Sequence, residues 1–292
     1  MKRGRHTSPG GALMSPPGDA SPADADWSEL PQASRLLVSV AELLCLYGTL
    51  VGSGVLGQSI RFASGGVFSS EATLIAPAVP AFSIWAVIYV GLFVVTLWYW
   101  LPSDRTAVRL GPIAGLVAAS MLLNAAWILV VQAGLVPLSV LVIATLVVVL
   151  GMLNDRLSRS RPSSRMEALV IDGTFGLYLG WVSVAVCANV ASALVDVGSA
   201  STGIGATVAT VAVLALVGVL GWVLSRRLPG RLGIPVGIVW GLAWIAYQRS
   251  HGAPESMPVA LFAAVVAAWV AGAFAQTVTR GLGPQTRQEP LP

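Results

Sequence analysis

The chain has 292 residues, of which 55% are hydrophobic and only 10% charged, and its mean hydropathy is +0.79. That composition excludes a soluble globular domain and identifies a polytopic membrane protein. The net charge of +4 does not point to nucleic acid, because the basic residues fall in short clusters between apolar runs, where membrane topology accounts for them.

Residues 1 to about 34 are rich in Pro, Gly, Ala, Ser and Asp and cannot bury enough apolar surface to fold alone, so a disordered tail is expected. No apolar stretch follows Lys2, Arg3 and Arg5 at signal-peptide distance. The first apolar run is therefore expected to remain as an anchor. Eight runs long enough to span, or nearly span, a bilayer follow, at about 36–60, 81–101, 110–133, 136–153, 168–195, 205–225, 232–248 and 257–279. The third and fourth are separated only by AGLVP and predict a tight helical hairpin. The seventh is the shortest.

Charge placement tests this count. With the N-terminus inside, fifteen of the seventeen Lys and Arg residues fall on the cytoplasmic side, leaving Arg61 and Arg249 outside. Losing or adding a helix would scramble that bias. The expected fold is thus an all-α integral membrane protein of eight helices with both termini cytoplasmic.

Cys45 and Cys187 lie in apolar runs and read as packing residues rather than a disulfide or CxxC site. His6 and His251 form no cluster for a metal or a catalytic triad, so no metal site and no hydrolase are expected. GSGVLG, at Gly52 to Gly57, formally matches a dinucleotide fingerprint. It lacks the strand and the βαβ setting that the fingerprint needs, and a location inside the first span, where Gly48 and Gly52 serve close helix packing, is the better reading. Gly233, Gly237 and Gly241 repeat at four-residue spacing in the seventh run and mark a packing or dimer face.

Two acids, Glu42 and Asp172, sit inside apolar runs. An intramembrane carboxylate is a candidate proton carrier. Both lie within one to two turns of the predicted cytoplasmic end, where snorkelling or pairing with Arg35 or Arg165 is the structural alternative.

The motifs that point to a ligand come from three runs. In the fifth, FGLYLGWVSVAVCAN, the residues Tyr178, Trp181, Ala185 and Asn189 fall within an arc of roughly 80°, with Cys187 pointing away. In the second, Phe82, Trp85 and Tyr89 share a face, and in the third Asn124 and Trp127 do so. Hydroxyl, indole and amide groups are costly to leave unpaired in hydrocarbon, so these faces should meet protein, a cavity or a ligand. Converging, they would wall an apolar, aromatic pocket with a few polar anchors. Trp98, Trp100 and Trp269 read instead as core or interfacial residues.

Trp85 and Tyr89, then Asn124 and Trp127, then Tyr178, Trp181, Ala185 and Asn189 resemble, in order and helix by helix, the hallmarks of the tryptophan-rich sensory protein family. These are the TspO and peripheral benzodiazepine receptor proteins, also called translocator proteins. The likeness covers about residues 36–195. It implies a five-helix bundle that binds porphyrins, haem-like tetrapyrroles or other hydrophobic ligands, usually as a homodimer, with the loop at about 61–80, containing Pro77 and Pro80, as a lid. Leu177 and Ser83 depart from the family pattern, which has proline in those regions. The implied organisation is a tail over 1–34, a TspO-like domain over 35–195, a three-helix extension over 196–280 and a cytoplasmic tail over 281–292.

On this reading the ligand, a porphyrin or haem rather than a resident cofactor, stacks on Trp85, Tyr89, Trp127, Tyr178 and Trp181, with Asn124 and Asn189 as anchors. The alternative is a proton-coupled transporter of small hydrophobic molecules using Glu42 or Asp172. No acid, base and nucleophile trio supports an enzyme, including one that degrades porphyrins. The partners expected are the ligand, the bilayer and a second copy of the chain, without nucleic acid. Sixteen arginines to one lysine suggest a GC-rich bacterial genome, and hence a bacterial plasma membrane.

Overall fold

The computed structural model describes residues 30–101, 104–229 and 231–281. The expected tails lie outside these residues, apart from Leu30 to Ser34, within which the first helix begins at Gln32, and Gly281, which ends the last helix.

Each of the eight apolar runs forms a long helix. In chain order the helices are α1 (Gln32–Gly52), α2 (Ile84–Trp100), the short α3 (Asp104–Leu110), α4 (Ala114–Gln132), α5 (Val136–Ser158), the single turn α6 (Arg165–Glu167), α7 (Thr174–Asp196), α8 (Ile204–Arg227), α9 (Gly233–His251) and α10 (Met257–Gly281). Seven are long and apolar enough to cross a membrane. The exception, α9, has 19 residues and falls short in apolarity alone. Its position explains this, because it lies between α7 and α10 and does not need a lipid-facing surface all round.

Local signals end the helices where the chain must turn. Gly134 takes φ +75° after α4, and the N–H groups of Gly134 and Leu135 close back onto the carbonyls of Val131 and Val130. With Pro137 in the first turn of α5, this is the tight hairpin expected from AGLVP. α1 stops at Gly52, and Gly54 takes φ +90°. GSGVLG is therefore a turn that leaves the helix, not a segment within the span as expected. The packing half of that expectation holds, since a Cβ on Gly48 would lie 3.1 Å from the Cα of Ala125 in α4.

α1 packs on α2 and α4, α4 on α5, α5 on α7, and α7 on α2, so five helices close a ring. The extension adds to the ring out of sequence order: α9 lies on α7, α10 on α9, and α8 on α10. The α7–α9 seam is made of backbone. A Cβ on Gly180 would meet the carbonyl oxygen of Ile234 at 2.2 Å, and one on Gly237 would meet Leu177 O and Trp181 N at 2.6 Å. The glycine run in α9 is thus an internal packing face. With α9 covering one side and the ring the other, every residue but one from Thr174 to Val184 is buried.

An ion-pair cluster ties the elements together at the end of the bundle where α7 begins. Arg109 in α3 meets Glu167 at 2.9 Å and Asp172 at 2.5 Å, and also donates to Leu157 O at the end of α5. Arg231, in the α8–α9 linker, reaches the same Asp172 oxygen at 2.8 Å. Asp172 sits in a π-helical turn, Ala168–Gly173, that widens the start of α7. Its partners are therefore Arg109 and Arg231 rather than Arg165.

Backbone-to-backbone contact leaves no flexible atom to yield, so Gly180→Ala or Gly237→Ala must part α7 from α9, at about 1–3 kcal/mol. Each is expected to lower the midpoint of thermal unfolding in detergent by several degrees, followed by tryptophan fluorescence. Gly272→Ala, in α10 with nothing within 4 Å of its Cβ position, should leave the midpoint unchanged.

Candidate ligand-binding site

α2, α4 and α7 turn their aromatic faces toward one another. Trp85 is the centre of the group: it stacks on Tyr89 at 5.4 Å and stands edge-on to Tyr178 at 5.7 Å and Trp181 at 6.2 Å. Phe82 meets Trp181 edge-on at 5.8 Å. Such geometries suit the ring quadrupoles and fix each ring against its neighbour.

The polar tips on these faces are largely committed to one another. Asn124 donates to the Tyr89 hydroxyl at 3.0 Å and to Cys45 Sγ at 3.6 Å. The Trp127 indole donates to Asn189 Oδ1 at 2.8 Å, and Asn189 in turn donates to Ser139 Oγ at 2.9 Å. Tyr178 is fully buried and its hydroxyl donates to Ser120 O. Two atoms depart from this economy, the first being Asn124 Oδ1, which is buried without a partner among the described residues. The Trp181 N–H is buried without a partner among the described residues, an arrangement that a bound acceptor would relieve.

In front of this wall lies a cavity of about 370 Å³, between α1, α2 and α4 and under the loop that follows α1. Phe82, Trp85, Tyr89 and Trp127 line it, as sequence periodicity indicates. A smaller space of about 50 Å³ adjoins it and shares Phe82, Trp85 and Trp127 with it, and there Trp181, Ala185 and Asn189 come to the surface. Asn124 and Tyr178 line neither space and stand behind the wall as supports. Periodicity alone did not reveal the contribution of α1 and the loop. Thr49 and Gly52 of α1, and Ile60, Arg61 and Phe68 of the loop, are also part of the lining. These residues have no regular spacing, and the loop's Phe68, edge-on to Trp127 at 6.2 Å, reaches the site only through the chain's path.

That loop is pinned from several sides. Ser64 Oγ donates to Val131 O of α4 at 2.8 Å, and Ser192 Oγ of α7 donates to Val67 O at 2.7 Å. The extension supplies three further anchors from α9. The Trp240 indole donates to Ala81 O at 2.8 Å, Trp244 O accepts from the Ala78 N–H, and Arg249 donates to Ser70 O at 2.6 Å. Arg249 is 0% exposed and also donates to Pro254 O, so it serves as a fastening of the cover.

Of the two intramembrane acids, Asp172 belongs to the ion-pair cluster and lines a separate groove between α2 and α9. Glu42 differs. It is 3% exposed, on the buried face of α1 one turn from Cys45, and neither carboxylate oxygen has a partner among the described residues; it is not paired with Arg35.

The family model for TSPO-like proteins matches residues 41–275 of the chain, which takes in the ring and most of the extension. Neither the curated proteins nor the solved structures contain a match.

Because Arg249 holds the cover through charge-assisted bonds, Arg249→Gln should raise the hydrogen–deuterium exchange of backbone amides at 61–80 by about tenfold, the equivalent of about 1.4 kcal/mol. Mass spectrometry of the detergent-solubilised protein measures this. Exchange equal to wild type would mean that Ser64, Ser192 and Trp240 suffice to hold the cover.

Proposed function

The chain belongs to the TSPO-like protein family, and on that premise we propose that it is a membrane receptor or carrier for a flat, hydrophobic, tetrapyrrole-like ligand such as a porphyrin or haem. The observation that carries the reading is the cavity itself. Phe82, Trp85, Tyr89, Trp127 and Phe68 wall a space of about 370 Å³ at the end of a membrane bundle. Its size lies in the range of small-molecule sites, and its wall is aromatic, with few polar groups left free. A flat apolar ring system gains by stacking there and loses little, because the Asn124–Tyr89 and Trp127–Asn189–Ser139 bonds are already made. The role proposed is binding and delivery rather than catalysis.

A second reading, proton-coupled transport of small hydrophobic molecules, is favoured by Glu42. Its buried, unpaired carboxyl group lies one turn along α1 from Cys45, which accepts from Asn124, and Asn124 also donates to Tyr89 of the cavity wall, so a network of polar side chains links the helix that carries the acid to that wall. Asp172, engaged by two arginines, is less suited to that role.

Titration of the detergent-solubilised protein with protoporphyrin IX, followed by the shift of its Soret absorbance, tests the leading reading. Saturable binding should weaken about tenfold in Trp85→Ala, while Trp269→Ala, on an exposed face of α10, leaves it unchanged. Unsaturable uptake, alike in all three proteins, would reduce the effect to partition into the micelle. The second reading expects pH-driven flux in proteoliposomes to be lost in Glu42→Gln with binding retained, and flux equal to wild type in that variant would remove it.

A further inference from the structure

At the covered end of the bundle, opposite the Arg109 cluster, the described residues include two arginines, Arg61 and Arg249. They have opposite fates. Arg249 is buried and spends its donors on the carbonyls of Ser70 and Pro254. Arg61 is exposed and lines the aromatic cavity, and among the described residues no hydrogen bond or ion pair engages its guanidinium. Its central carbon stands 4.5 Å from the centre of the Phe62 ring, a cation–π contact that steadies the head while leaving its N–H groups unpaired. It is also the one residue charged at neutral pH among those described as lining the cavity or the small space beside it.

A neutral apolar ligand would have no use for this group, and a cationic one would be repelled by it. A carboxylate suits it, because the planar guanidinium presents its N–H donors in a fork that matches two carboxylate oxygens. The cavity has a matching polarity along its length. Its inner wall is Trp85, Tyr89 and Trp127, and its rim, at the end of α1 and the start of the loop, carries Ser53, Ser59 and Arg61. We infer that Arg61 is a specificity-determining residue of this site, selecting ligands that join a flat apolar body to a carboxylate edge. The inference rests on the proposed tetrapyrrole-binding reading and narrows it. The body stacks within the wall, and the carboxylate stays at the rim against Arg61.

The test uses the full chain in detergent with two probes, protoporphyrin IX and its dimethyl ester, in which the ring is kept and both carboxylates are masked. Wild type should bind the acid roughly five- to tenfold tighter than Arg61→Gln does, while the ester binds both proteins alike. Arg61→Lys, which keeps the charge and loses the fork, should restore part of the difference. The acid-specific gap should narrow as salt is raised, since the rim is open to solvent. Comparing the two probes across the two proteins cancels partition of the more apolar ester into the micelle. Equal weakening of acid and ester in Arg61→Gln would assign Arg61 to holding the loop or a lipid headgroup, and overturns the inference. Saturable binding of both probes, unaffected by the variant, overturns it too but leaves the cavity as a tetrapyrrole site. Failure of both probes to saturate wild type removes the site reading and this inference together.

Discussion

Direct contact between the backbones of α7 and α9 is the constraint on which the rest of this molecule depends. Glycines at 176, 180, 233 and 237 let the two helices approach until a single methyl group would collide with main-chain atoms. In a bilayer, where lipid tails are as apolar as leucine, close packing of this kind is a principal source of helix association. It has two consequences here. α7 becomes buried on both sides, so its aromatic and amide groups can face the ring interior without meeting lipid. α9 is also brought near enough to the loop after α1 for Trp240, Trp244 and Arg249 to hold that loop over the cavity.

The interior otherwise obeys the rule that polar groups at membrane depth must find partners within the protein. Asn124 with Tyr89, and Trp127 with Asn189 and Ser139, join neighbouring helices through side chains that would be costly to leave alone. At the opposite end, two acids and two arginines bind α3, the π turn and the α8–α9 linker. Removing one member of such a cluster strands a charge, which is why breaking a buried pair costs more than forming it gains. The polar wall of the cavity therefore acts mainly as a frame, and recognition falls to ring surfaces and to the rim.

Against that background the unpartnered groups stand out. The Trp181 side chain lines the small space beside the cavity, the Glu42 carboxyl is buried on α1 one turn from Cys45, and the Arg61 guanidinium stands on the rim. Arg35, Thr73, Asn124, Asn154 and Arg249 also keep one buried side-chain atom without a partner among the described residues, so position at the site, and not isolation alone, marks Trp181 and Arg61.

Hydropathy was enough to read eight helices and their order, because a bilayer demands long apolar stretches whatever their neighbours, while several limits moved, most of all the end of the first helix, which stops at Gly52. The aromatic faces of α2, α4 and α7 were legible for a related reason, since helical geometry alone places Phe82, Trp85 and Tyr89, or Tyr178 and Trp181, on one side. Tertiary structure decided what periodicity cannot encode. The glycine run of α9 faces α7, Asp172 pairs with Arg109 and Arg231, and Asn124 and Tyr178 stand behind the cavity rather than in it. The extension, which no helix motif explains, fastens the cover of the site. Each of these rests on contacts between residues far apart in the chain. Spacing within one helix records which way a side chain points, and only the packed molecule determines what it meets.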